Sequence, residues 1–107
     1  MDGVVQFIPE AAEDYASLDG NIKKQVTGRI DALKENPFIG EALGNKNNTD
    51  LGGYYKIYVA RKAYRIVYRI VKNEIEIMEI WGIGKRDKTE IYKIIGQRIL
   101  KNRSERK

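Results

Sequence analysis

From Tyr54 to Val71 the sequence alternates with a period of two, and an antiparallel sheet is the structure that satisfies this pattern. In the first half Tyr55, Ile57 and Val59 point one way, and Tyr54, Lys56 and Tyr58 the other. In the second half Tyr64, Ile66, Tyr68 and Ile70 share one face, and Arg65, Val67, Arg69 and Val71 share the opposite one. Arg61-Lys62-Ala63 is short enough to join the two strands as neighbours. Lys72-Asn73 then reads as a two-residue turn before a third strand, Glu74–Trp81. The short connections make an antiparallel meander.

The preceding residues read as one strand and two helices. Val4 to Ile8 is a short β-branched and aromatic run. Pro9 suits the first turn of a helix, where a missing N–H costs nothing. Ala12, Tyr15, Ala16 and Leu18 are the expected buried face of that helix. After Asp19-Gly20-Asn21, the residues Ile22, Val26, Ile30 and Leu33 have amphipathic helix spacing, and Asn36-Pro37 ends it. Residues 39–53, rich in Gly and Asn, read as a mobile loop. Gly82-Ile83-Gly84 lacks the context of a phosphate loop and reads as a kink that takes the chain out of the sheet. A last helix is expected from about Asp87. Asp87 and Glu90 have capping-box spacing, and Ile91, Ile94, Ile95, Ile99 and Leu100 form its stripe. Gly96 interrupts that stripe, so the helix is expected to be weakly held. Residues 103–107 are expected to fray. The order β-α-α-β-β-β-α is an α+β fold, and 107 residues are one domain's worth.

Charge is unevenly spread. Residues 1–53 carry five Lys and Arg against nine Asp and Glu, a net −4, while residues 54–107 carry 15 against six, a net +9. A basic half on a small domain is the footprint of a nucleic-acid binder, although a basic surface also aids solubility or docks an acidic protein. There is no Cys and no His, which excludes disulfides, thiolate chemistry and the commonest acid/base and metal ligand. No apolar run reaches membrane-spanning length, no signal peptide is visible, and a cytosolic setting is expected.

The remaining chemistry rests on Lys, Arg and Tyr. With the helices all on one side of the meander, Lys56, Tyr58, Arg65, Arg69, Lys85, Arg86 and Tyr92 would converge on the other. RNA cleavage by the neighbouring 2′-hydroxyl needs no metal. It needs a proton acceptor, a proton donor and cations on the phosphorane. Arg supplies a planar fork for phosphate oxygens, and a Lys crowded by cations can have a lowered pKa and act as base. Each residue also has an ordinary reading. Alternating basic residues usually line a solvated sheet face, and Arg69 fits that reading best. Tyr55, Tyr64, Tyr68 and Trp81 read as core, and Glu74, Glu76 and Glu79 as surface.

The stretch GGYYKIYVARKAYRIVYRI, followed by EIEIMEIWGIGKRDKTEIY, resembles the RelE branch of the RelE/ParE toxins, as do ENPF and LGGYY. The resemblance spans roughly residues 4–100. It implies a small antiparallel sheet packed against N-terminal helices, with a C-terminal helix. It also implies a type II toxin that enters the ribosomal A site, among ribosomal RNA, and cuts the mRNA there. A cognate antitoxin would block it and would carry the only contact with DNA; the weakly held last helix is the element it is expected to displace. No cofactor and no metal is implied. Residue by residue, Arg65 resembles the phosphate-binding arginine. Arg86 resembles the arginine that stabilises the transition state or protonates the leaving group. Tyr92 resembles the tyrosine that orients or stacks on the substrate, and Lys56 one of two strand lysines near the 2′-hydroxyl. The second lysine position is Tyr58 here, so the base is open between Lys56 alone and Tyr58, with a slower enzyme as the third outcome. Tyr58, Arg61, Lys62, Lys85 and Lys88 are the expected RNA contacts. Two alternatives stay open: a ParE-like inhibitor of DNA gyrase, and a catalytically weak toxin kept as antitoxin partner and co-repressor.

Overall fold

The computed structural model describes residues 4–46, 49–72, 76–85 and 90–105. Strand β1 (Val4–Phe7) leads into helices α1 (Pro9–Ala16) and α2 (Gly20–Glu35), and a 3₁₀ turn covers Pro37–Ile39. Strands β2 (Glu41–Lys46), β3 (Thr49–Val59), β4 (Tyr64–Lys72) and β5 (Glu76–Lys85) follow, and α3 (Glu90–Glu105) ends the chain. The five strands form one sheet in the order β1-β5-β4-β3-β2. The α+β class and the antiparallel meander are as the sequence implies. One pairing is not antiparallel: β1 runs parallel to β5.

Residues 39–53, expected as a loop, instead hold the end of the 3₁₀ turn, β2 and the start of β3. Gly and Asn disfavour strands on propensity, but two leucines outweigh them here. Leu43 and Leu51 are both buried, and their strands pair from Glu41↔Lys56 to Lys46↔Thr49. Gly44, at φ +61°, follows the register shift after Ala42.

Local signals set the helices. Pro9 opens α1, and the Asp19 carboxylate caps α2 by accepting from the Ile22 N–H at 3.0 Å. Val26, Ile30 and Leu33 bury as spaced. Of the expected inward face, Tyr15 and Leu18 pack against the core, but Ala12 and Ala16 are exposed and Ala11 is buried in their place. Ile8 is buried and its N–H donates to the Ile80 carbonyl, which sets the angle at which α1 leaves β1.

The helices do not all lie on one side. Tyr68, on one face of β4, donates its hydroxyl to the Pro37 carbonyl in the 3₁₀ turn that follows α2. On the opposite face α3 lies across Gly82 and Gly84, which remain within β5 and do not lead out of the sheet. A Cβ at Gly82 would stand 2.5 Å from Ile95 Cδ1, and one at Gly84 2.9 Å from Ile91 Cδ1, so the missing side chains are what lets α3 sit close. Helix α3 buries Ile91, Tyr92, Ile95 and Ile99, whereas Leu100, expected in its stripe, is 65% exposed. The helix continues to Glu105, into the segment expected to fray. The Asp87 half of the expected capping box and the Asn73 half of the expected turn lie outside the described residues.

Candidate active site

The face under α3 carries the candidate residues. Tyr58 on β3 pairs in register with Arg65 on β4, which pairs with Gly84 on β5. Lys56 is two residues from Tyr58 on the same face. Arg65 is the one buried charged side chain among the described residues, at 9% exposure. Its guanidinium lies 5.6 Å from the centroid of the Tyr58 ring and 4.9 Å from that of Tyr92. Its Nε and Nη1 are buried and have no hydrogen-bond partner among the described residues. The two rings offset part of the cost of burying the charge, since a desolvated cation–π contact gives about 2 kcal/mol. They offer no acceptor to these N–H groups, and an unmet buried donor costs about 1–3 kcal/mol.

Lys56 Nζ donates to Tyr58 Oη at 2.9 Å. Burial acts to lower the Lys56 pKa, but the Tyr58 hydrogen bond, Tyr92, and the charge of Glu41 together outweigh it, and the net shift is upward. The expected lowering by neighbouring cations is therefore reversed: Lys56 stays an ammonium. Lys62 Nζ stands 5.7 Å from the Tyr58 ring. It is placed there by the turn after β3, where Ala60, Arg61 and Lys62 all have positive φ (54°, 55° and 70°) and Ala63 N–H closes on the Ala60 carbonyl. Three consecutive non-Gly residues in the left-handed region are strained.

The structure thus brings together Lys56, Tyr58, Lys62, Arg65 and Tyr92, with exposed Arg61 beside them. Lys85 pairs with Tyr64, so its register puts it on the sheet face opposite Arg65. Arg86 and Lys88 lie outside the described residues.

Some roles were not visible in the sequence. Arg69, expected on a solvated face, donates Nε to Glu79, expected at the surface; Glu79 also accepts from Trp81 Nε1 at 3.2 Å. Arg98 donates to both carboxylate oxygens of Asp14, at 2.7 and 3.1 Å, and to the Trp81 carbonyl at 3.0 Å. Asp14 accepts from the Ile83 N–H as well. The available signal was Arg98 itself, a charge at helical spacing from Ile91 and Ile95 on the inward stripe of α3. Glu41 went unnoticed because it opens a strand read as loop.

The chain belongs to the family described as ParE toxin of type II toxin-antitoxin system, parDE, whose match covers residues 5–90. Within that superfamily its likeness is to RelE. It is 27% identical over 96 residues to the mRNA interferase toxin RelE of Escherichia coli, covering 90% of this chain and 96% of that protein. A solved structure of free Escherichia coli RelE, in a doubly substituted form, shares the fold with a TM-score of 0.73 at 23% identity, covering 92% of this chain and 99% of that one. RelE in the intact Escherichia coli RelBE toxin–antitoxin complex gives a TM-score of 0.65 at 20% identity, covering 80% and 99%.

Proposed function

We propose that this toxin is a metal-independent endoribonuclease that cuts mRNA in the ribosomal A site and so stops translation. The observation that carries the reading is Arg65, a buried guanidinium with two N–H donors unmet among the described residues, held between two tyrosine rings beside the Lys56 ammonium. A phosphodiester supplies the missing acceptors, and Arg binds two phosphate oxygens through its planar fork. As the 2′-oxygen attacks phosphorus, charge grows on the non-bridging oxygens, and a desolvated arginine stabilises that charge far more than water does. Tyr58 and Tyr92 fix the plane of the guanidinium. Tyr92 is 4% exposed, so in this state its ring serves Arg65 rather than an RNA base. Arg86 is assigned to the departing 5′-oxygen. Tyr58, Arg61, Lys62 and Lys88 are assigned to RNA contact, mainly with backbone, whereas Lys85, on the opposite face, is not. The site is small and lacks a histidine, which supports dependence on the ribosome to align the mRNA.

The partner that restrains it is a cognate antitoxin, a reading supported by the solved complex of RelE with RelB. The experiment is primer extension on programmed ribosomes, with the wild type beside Arg65→Ala. Cleavage in the A-site codon that is lost in the variant is the expected result; no cut by the wild type would reject the reading. The second reading, inhibition of DNA gyrase, is favoured by the ParE family match. It is tested by a supercoiling assay, in which this protein is expected to be inert.

A further inference from the structure

A phosphodiester can repay the cost of burying Arg65 only if it reaches the guanidinium, and in this structure it cannot. The side chain is 9% exposed, and Nε and Nη1 are both shut away. A two-pronged grip on a phosphate uses two of the three guanidinium nitrogens, so it uses at least one of these. A phosphate oxygen must come within about 2.9 Å of that nitrogen. Something over Arg65 therefore moves.

The floor of the site is fixed. Arg65 lies in β4, which is paired to β3 on one side and β5 on the other, and Tyr58 lies in β3, which is also paired on both edges. The remaining wall is Tyr92, in the first turn of α3, 4% exposed and with its ring centroid 4.9 Å from the guanidinium. Helix α3 is fastened unevenly. Its polar ties lie toward the far end, where Arg98 holds both carboxylate oxygens of Asp14 and the Trp81 carbonyl, and Lys101 reaches Glu10 at 3.4 Å. Among the described residues, the end that carries Tyr92 is held by Ile91 and Ile95 packed on Gly84 and Gly82, and by the ring on Arg65. Gly96, the residue least able to stiffen a helix, stands between the two ends.

We propose that the first turns of α3 form a lid over Arg65, closed in this structure, which swings away at the Tyr92 end to admit the phosphodiester. The occupant rests on the endoribonuclease reading above; the motion rests on the burial of Arg65. The resting toxin is self-shielded, because the charge that draws nucleic acid is covered until a phosphate competes with the Tyr92 ring for it. The ring offers no acceptor to the two N–H groups, whereas a phosphate offers two. The closed state is therefore favoured without RNA and the open one with it.

The chain has no cysteine, so the lid can be locked and released with an engineered pair. A Cβ added at Gly84 stands 3.8 Å from Ile91 Cβ, a separation that suits a disulfide, and its closer clash is with Ile91 Cδ1, an atom that cysteine lacks. Reduced and oxidised G84C/I91C are compared in two assays. Phenylglyoxal labels accessible guanidinium groups, and mass spectrometry follows its reaction at Arg65. Single-turnover cleavage on programmed ribosomes follows the chemistry. Oxidation should protect Arg65 from the label and slow cleavage about 10²-fold, the scale of denying a substrate its productive geometry. Reduction should restore both, and exposed Arg61 should label equally in the two forms. An oxidised protein whose Arg65 labels as fast as in the reduced one, or that cuts mRNA as fast, would overturn the proposal. If G84C/I91C fails to fold, the wild type decides. Its Arg65 labelling should be nearly flat in low denaturant, as for a local opening; labelling that rises only in step with global unfolding would overturn the proposal equally. A wild type that leaves mRNA intact, while the lock still shields Arg65 from the label, would reject the endoribonuclease reading and leave the lid standing.

Discussion

Arg65 and Arg69 sit four residues apart on the same face of β4, and each guanidinium lies between two aromatic rings. Tyr58 and Tyr92 flank the first at 5.6 and 4.9 Å; Tyr54 and Trp81 flank the second at 6.0 and 5.4 Å. The cages are alike, and the difference is the anion. Arg69 has Glu79, which Trp81 holds in place. Among the described residues Arg65 has no carboxylate partner, and two of its donors are unmet. A paired, caged arginine fastens a sheet. An unpaired one is a standing cost to stability, and such a cost is ordinarily met where a ligand repays it.

The largest effect expected from this contrast is on chemistry. Arg65→Met should lower A-site cleavage by about 10³-fold, the scale of losing one preorganised transition-state donor. It should leave the melting temperature unchanged or raise it, because a buried uncompensated charge is removed. A clear fall in melting temperature would mean that Arg65 is structural after all. Glu79→Gln should do the reverse. Breaking a buried pair costs about 3–5 kcal/mol, and this partly exposed one should cost about 2 kcal/mol in denaturant unfolding, with cleavage within a few-fold of wild type. If both variants lose activity alike, the two cages form one unit and the contrast fails.

The cage walls come next. Tyr92→Phe keeps the ring and should retain most activity. Tyr92→Leu removes the cation–π contact and should slow single-turnover cleavage about tenfold. Equal effects in the two would shift the role from ring to hydroxyl. The smallest effect is on pH. Tyr68 is pushed upward chiefly by burial, against the Gly40 N–H, and Lys56 is also raised overall, against its own burial. Both folded-state values lie above their unfolded ones, near 10 and 10.5. Their contributions are thus fully present below about pH 10 and are lost as pH rises through the folded values. Stability measured by denaturant from pH 8 to 11 should fall at the alkaline end, and less steeply in Tyr68→Phe, which loses the Pro37 and Gly40 hydrogen bonds.

The alternating pattern was enough to read the meander, the strand face shared by Lys56, Tyr58 and Arg65, and the buried stripe of α2. Periodicity reports which side of an element is apolar, and these elements have one clear side. It was not enough for β2, where two buried leucines stand among glycines and asparagines and hydrogen-bonding partners on β3 decide the strand. Nor did it show that α3 crosses the face of Arg65. That depends on two absent side chains, at Gly82 and Gly84, and an absence reads equally well as a kink. The pairing of Arg69 with Glu79 spans ten residues and two strands, and only the register of β4 against β5 brings it about.

The Asp14–Arg98 pair has a consequence for the solvent edge of β5. Strand β1 covers that edge only as far as Phe7 opposite Ile80. Beyond it, a carboxylate from α1 takes the Ile83 N–H and a guanidinium from α3 takes the Trp81 carbonyl. The edge is stoppered by side chains where a strand would otherwise run, and one of the two stoppers belongs to the last helix. The Ile83 amide is therefore a built-in gauge. Its deuterium uptake should follow the release of the Asp14 carboxylate, which lifting α3 loosens by withdrawing Arg98, while the Ile80 carbonyl's partner, the Ile8 amide, follows the opening of the sheet as a whole.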